Sequence, residues 1–126
     1  MIIQKDLIRI TNKGGHKPKQ FMIERFNVPE ELKGLKIHLN LPEDGVKCVF
    51  VYDQVDELRA EYDSVNDKEI VRIYESEEES SLKAVAGPIH QGEWMIALEI
   101  DMLEEDKVWE ISYYIEGIQK ATTFEY

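Results

Sequence analysis

Three histidines, one cysteine and a run of carboxylates are the residues of this chain with the chemistry to act on a substrate or hold a metal ion. A metal centre needs three or four converging ligands, commonly announced by histidines paired at H-x-H or H-x-x-x-H spacing. His16, His38 and His90 each stand more than twenty residues from the next, so no such pair exists. His38 falls on the polar face of an alternating segment, His16 lies beside Gly14-Gly15 and lysines, and His90 follows Gly87-Pro88-Ile89 in a turn. All three read as surface or structural imidazoles. Cys48 sits in the most apolar run of the chain, against Val49 and Phe50, and reads as an inert core thiol rather than a nucleophile beside a base. No G-x-S-x-G elbow and no Walker-type glycine loop occurs. No residue is assigned a catalytic, metal-binding or cofactor-binding role, and no cofactor is expected.

The carboxylates and aromatics need separate weighing. Asp53, Asp56, Glu57, Glu61, Asp63 and Asp67 fall within one connection and offer the oxygen ligands a calcium ion prefers. The D-x-D-x-D-G spacing of a calcium loop is absent, so a solubilising acidic rim is the simpler reading. Carbohydrate-binding sandwiches present flat aromatic rings on one sheet face. Trp94 and Trp109 fall in phase with isoleucine and leucine and read as core; Tyr52, Tyr62, Tyr74 and Tyr114 are the candidates for an exposed patch.

The elements that must position these residues are strands. Leu35, Ile37, Leu39 and Leu41 alternate with Lys36, His38 and Asn40, the period of two of a half-buried strand over Gly34 to Leu41. Pro42-Glu43-Asp44-Gly45 supplies a turn. Val46 to Tyr52 is apolar on both faces after Lys47, which predicts a central strand covered on both sides. Glu69–Tyr74, Glu93–Met102 and Lys107–Glu116 read as further strands, the last two joined by Leu103-Glu104-Glu105-Asp106 as a hairpin. Lys5–Thr11 and Gln20–Val28 precede them, and Lys120–Tyr126 reads as a final edge strand. Asp56 to Asp63 reads as a connection, with a short helix as its competitor because Val55, Leu58, Tyr62 and Val65 make a rough helical stripe. Glu75 to Ser81 reads as a solvated loop or at most one helical turn. About eight antiparallel strands predict a single all-β domain over residues 1–126, a jelly-roll-like β-sandwich.

Composition narrows the partners. The 126 residues hold 26 Asp or Glu against 15 Lys or Arg, a formal charge of −11. That balance argues against duplex nucleic acid and anionic membrane, which both need clustered cations. A single cysteine allows no intrachain disulfide. Met1-Ile2-Ile3 runs at once into Gln4-Lys5-Asp6, so no signal peptide is expected, and no apolar run approaches the roughly 20 residues of a membrane span. A cytoplasmic protein is the expectation.

Three segments carry a family resemblance: Phe26-Asn27-Val28-Pro29-Glu30-Glu31 before Leu35-Lys36-Ile37, Val51-Tyr52-Asp53 with Leu58-Arg59, and Gly87-Pro88-Ile89-His90-Gln91-Gly92-Glu93-Trp94. Together they resemble the N-terminal β-sandwich that precedes the PHP-type domain of CehA/McbA-like metal-dependent phosphoesterases, over about residues 20 to 117. In that family the following domain supplies the histidine and aspartate metal ligands. This sequence runs to Tyr126 without a His-x-His, so no catalytic residue carries over. The resemblance implies a non-catalytic accessory domain whose partner is a protein, either a metallohydrolase domain or a second copy of itself. The alternative is a carbohydrate- or calcium-binding module.

Overall fold

The computed structural model describes residues 1–11, 19–42, 46–63, 68–101 and 108–121. Eight strands lie among them: β1 (Ile2–Thr11), β2 (Lys19–Val28), β3 (Leu32–Asn40), β4 (Val46–Tyr52), β5 (Leu58–Tyr62), β6 (Lys68–Tyr74), β7 (Gly92–Asp101) and β8 (Val108–Gln119). They form two four-stranded sheets, sheet A in the order β1-β8-β3-β6 and sheet B in the order β2-β7-β4-β5. Every pairing is antiparallel. The chain pairs as one long hairpin bent at β4–β5, with β3 on β6, β2 on β7 and β1 on β8 outside it. Rolling that hairpin sends alternate pairs into opposite sheets, which is the jelly-roll arrangement expected from the strand count.

Alternation decides what each strand buries. Leu35, Ile37 and Leu39 of β3, Leu41 just beyond it, Ile111, Tyr113 and Ile115 of β8, and Val71 and Ile73 of β6 face inward from sheet A and are buried. Val49 and Val51 of β4, Ala60 and Tyr62 of β5, and Trp94, Ile96, Leu98 and Ile100 of β7 answer them from sheet B. These side chains form one continuous cluster between the sheets. Trp94 is the largest of them and has no exposed surface; its Nε1–H donates to the His90 carbonyl at 2.9 Å, so the ring is buried without stranding its one donor. Gly34 of β3 faces Tyr74 of β6, and the phenol ring lies over it so closely that a Cβ would sit 2.5 Å from the ring. The aromatic thus covers the backbone that the glycine leaves open.

Several expectations are corrected. Glu93–Met102 and Lys107–Glu116 are not a hairpin: β7 pairs with β2 and β4 in sheet B, while β8 pairs with β1 and β3 in sheet A. Their connection crosses between sheets because each strand finds its partner among strands formed much earlier in the chain. The Asp56–Asp63 stripe is not a helix; Leu58–Tyr62 is β5, an antiparallel partner of β4. Here Val51 and Val49 accept Ala60 and Tyr62 as inward cross-strand neighbours, and that tertiary pairing outweighs a stripe of four residues. β4 does run inside its sheet, between β7 and β5, but only its Val49–Val51 face is buried. Of the expected Lys120–Tyr126 strand, Lys120 and Ala121 lie in no strand and residues 122–126 lie outside the described residues, as does the burial of the Trp109 side chain.

Candidate functional site

The acidic connection is built around one buried carboxylate rather than a cluster. Asp53 Oδ1 accepts from the Val55 and Glu57 N–H groups, both at 3.0 Å, and fixes the turn that leads β4 into β5. The turn is further closed by Asp53 N–H to the Glu57 carbonyl and Asp56 N–H to the Asp53 carbonyl, each 3.0 Å. Asp53 Oδ2 lies 3.7 Å from the Arg59 guanidinium, and both side chains are nearly inaccessible to water. Asp63 instead turns outward to Lys83 at 3.0 Å, a bond that pulls its carboxyl below the ordinary range and raises the lysine. No group of three or more histidine, cysteine, aspartate or glutamate side chains converges among the described residues. Asp67 and His16 lie outside them.

Arg59 is the residue that sequence reading left without a role. Its Nε–H donates to the Val85 carbonyl at 3.1 Å, and its two terminal nitrogens donate to Pro88 and Gly87 carbonyls at 3.0 Å each. The guanidinium carbon stands 5.1 Å from the centre of the Trp94 ring. Burial lowers its pKa, and the neighbouring Asp53 and Glu57 carboxylates oppose that shift. The segments Val51–Asp53, Leu58–Arg59 and Gly87–Trp94 therefore meet at one buried staple. Gly87 and Gly92 hold φ values of 155° and 143°, which a side chain adopts only under strain. At Gly92 a Cβ would also come within 2.8 Å of Gln54 Cβ.

The two outer sheet faces are the surfaces left for ligands or partners. On sheet A, Tyr114 stacks on His38 with ring centres 4.0 Å apart and 11° between planes. His38 Nε2 stands 3.5 Å from Glu116 Oε1. Beside this pair a groove of about 410 Å³ crosses the sheet, with Asn40 donating to Ser112 Oγ at 3.2 Å and Ile70, Lys5 and Tyr114 at its walls. His90 is exposed and contributes its carbonyl, not its ring, to the Trp94 bond.

The four tyrosines do not make one platform. Tyr62 and Tyr74 are buried, against expectation, because one closes the inner face of β5 and the other covers Gly34. Tyr114 is 36% exposed on sheet A, and Tyr52 lies on sheet B. Burial raises the phenol pKa of Tyr62, Tyr74 and Tyr113.

The outer face of sheet B has an apolar centre rimmed by charged residues. Register sets Ile23, Ala97 and Phe50 side by side, with Arg25, Met95, Tyr52 and Leu58 in the next row. Phe21 and Ile23 are 61% and 52% exposed, and Phe50 and Tyr52 are half-buried with ring centres 6.5 Å apart. Cys48 joins this face in half-buried form rather than the core. Burial and the Glu99 carboxylate raise its thiol pKa, so the group is no activated nucleophile. Glu61 and Glu99 line the same face, and Arg25 pairs with Glu93 at 3.2 Å.

No helix of the described residues is long and apolar enough to cross a membrane. No protein family, curated protein or solved structure matches this chain.

Proposed function

We propose that this chain is a non-catalytic accessory domain that docks a protein through the outer face of sheet B. One observation carries the reading: β4 is apolar on both faces, and its own sandwich covers only one. Phe50, Tyr52 and Met95, with Leu58 beside them, form an aromatic-rich centre of the kind found at protein interfaces. Glu61 and Glu99 give it an acidic margin within a chain of charge −11, so the fitting partner surface is apolar with a lysine- or arginine-rich rim. The resemblance to the sandwich that precedes PHP-type metallohydrolase domains names the class of partner. A cytoplasmic setting belongs to the same reading and draws support from the half-exposed free thiol of Cys48.

The test is calorimetric titration of the chain into a PHP-type metallohydrolase domain from the same organism. Binding that weakens with salt and falls at least about tenfold in Phe50→Asp supports the reading, since tenfold is about 1.4 kcal/mol. Binding that ignores Phe50→Asp, or no binding at all, removes it. The groove on sheet A favours a second reading, a site for a sugar ring held against Tyr114 and hydrogen-bonded by Asn40 and Ser112. Thermal melts unchanged across a glycan panel would dismiss it.

A further inference from the structure

Among the described residues, two of the four strand edges are strapped and two are not. A single segment, residues 75–87, straps the edges of β6 and β5 on one side of the sandwich. Along β6, Arg72 N–H donates to Ser81 Oγ and Tyr74 N–H to Ser80 Oγ, both at 2.9 Å, and the Tyr74 carbonyl accepts from Gly87 N–H at 3.0 Å. Along β5, Glu61 N–H donates to the Lys83 carbonyl at 3.2 Å and the Arg59 carbonyl accepts from Val85 N–H at 2.7 Å. The opposite side, formed by β1 and β2, has no such strap among the described residues. The main chain of β2 is met from outside its sheet at the Arg25 carbonyl, where Gln4 Nε2 donates at 3.1 Å.

That bond fixes which way the strand's groups point. Successive residues of an antiparallel strand direct their N–H and C=O to opposite sides. The Arg25 carbonyl faces away from β7, so the main-chain groups of Phe21 and Ile23, two and four residues earlier, face away as well. Their side chains are among the most exposed large apolar ones in the described structure. A ten-residue edge strand with no proline and an apolar outer row is a template for another strand.

We propose that β2 pairs antiparallel with β2 of a second copy, joining the two B sheets into one eight-stranded sheet. The argument for a second copy is self-complementarity. A register centred on Ile23 sets Ile23 opposite its own equivalent and Phe21 opposite Arg25 of the other copy, a cation over an aromatic ring. Each of these residues directs its N–H and C=O to that edge, and the Arg25 carbonyl, which already accepts from Gln4 Nε2, has a second lone pair for the partner strand. Charge permits it too: within a chain of −11, β2 carries Lys19 and Arg25 against Glu24 alone. The strand's own charge of +1 thus offsets part of the acidity of the chain around it. The proposal concerns the edge of sheet B and not its face, and stands whether or not the face docks a hydrolase domain.

Sedimentation velocity from about 1 µM to about 1 mM, with amide exchange at each concentration, tests it. The expected result is a monomer–dimer equilibrium in which the Phe21 and Ile23 amides slow as the dimer fills. Ile23→Pro removes an outward N–H without touching the β2–β7 ladder, and should weaken the dimer at least tenfold. Ile23→Lys, which sets two ammonium groups opposite each other, should do the same if the proline variant melts early. Phe50→Asp should leave the dimer intact. A monomer throughout, or a dimer that survives both Ile23 variants, overturns the proposal, as does a dimer lost in Phe50→Asp with the Phe21 and Ile23 amides unprotected.

Discussion

Replacing Arg59 by methionine isolates the staple that ties β5 to residues 85–88. Methionine keeps most of the packing over Trp94 and removes the charge and all five donors. Three carbonyls lose a charged partner, and hydrogen bonds of that kind contribute about 1.5–3 kcal/mol each. They do not simply add, because Val85 and Pro88 are exposed and their carbonyls can turn to water. Asp53 has no such recourse at 4% exposure. Removing one member of a buried pair costs about 3–5 kcal/mol, and the 3.7 Å separation sets this pair at the low end. A net loss of about 3 kcal/mol follows. At an unfolding entropy of about 2.1 cal/mol/K per residue, 126 residues give about 0.26 kcal/mol/K, so Tm should fall by about 11 °C.

Circular dichroism melts and urea titrations read this directly, with the midpoint moving and the m-value unchanged. Arg59→Lys should recover less than half of the loss, because one ammonium on a flexible stem cannot reach three carbonyls in a fork. A double-mutant cycle with Asp53→Asn separates the ionic part. Asparagine keeps an acceptor oxygen for Val55 and Glu57 N–H, so coupling between the two positions reports the charge pair. A Tm within about 3 °C of wild type in Arg59→Met refutes the reasoning. It would mean that the bonds to residues 85–88 stabilise the fold no better than water does.

Two further outcomes follow from titrating groups. The phenols of Tyr62, Tyr74 and Tyr113 are raised by burial, so the folded state keeps them protonated where the unfolded chain has begun to ionise. Their contribution is present in full below the unfolded value of about 10 and is lost as pH climbs through the folded values. Urea midpoints should therefore drop above about pH 10, with the absorbance of these phenolates growing in step with loss of near-ultraviolet dichroism; three phenols titrating freely in the folded state would contradict this. Cys48, raised by burial and by Glu99, should react with a disulfide reagent more slowly at neutral pH than a free thiol, and faster in Glu99→Gln. Equal rates in both chains would exclude the carboxylate as a cause.

What the sequence made legible was alternation, and what it hid was pairing. β3 and β7 announce themselves because Leu35, Ile37 and Leu39, and Trp94, Ile96, Leu98 and Ile100, repeat at the period of their own strand. β5 does not, since only Ala60 and Tyr62 face inward in five residues and Arg59, just before them, is buried by a different route. The β7–β8 hairpin misread has the same origin. A short polar link marks a reversal, but whether the reversal stays within a sheet or crosses to the other depends on strands far away in the chain. The staple was only indirectly visible: the segments around Asp53, Arg59 and Gly87–Trp94 are ones that carry the family resemblance, while the bonds made by Arg59 span 26 to 29 residues and leave no local signal.

The strap and the staple are two parts of one device. Residues 75–87 can close the β5 and β6 edges only if their far end is anchored, and Arg59 anchors it by binding the carbonyls of Val85, Gly87 and Pro88. Gly87 reaches back at the same point to the Tyr74 carbonyl of β6. A buried cation is a costly way to hold a loop, and its location says which pairing the fold guards against. An open β5 or β6 would compete with β2 for strands of another copy and would lead to chains without end rather than closed pairs. Closing one side of the sandwich, with no such strap on the other among the described residues, confines edge pairing to β2 and its neighbour β1. Loss of Arg59 should then cost more than stability: with the strap loosened, association should pass from a dimer to larger assemblies.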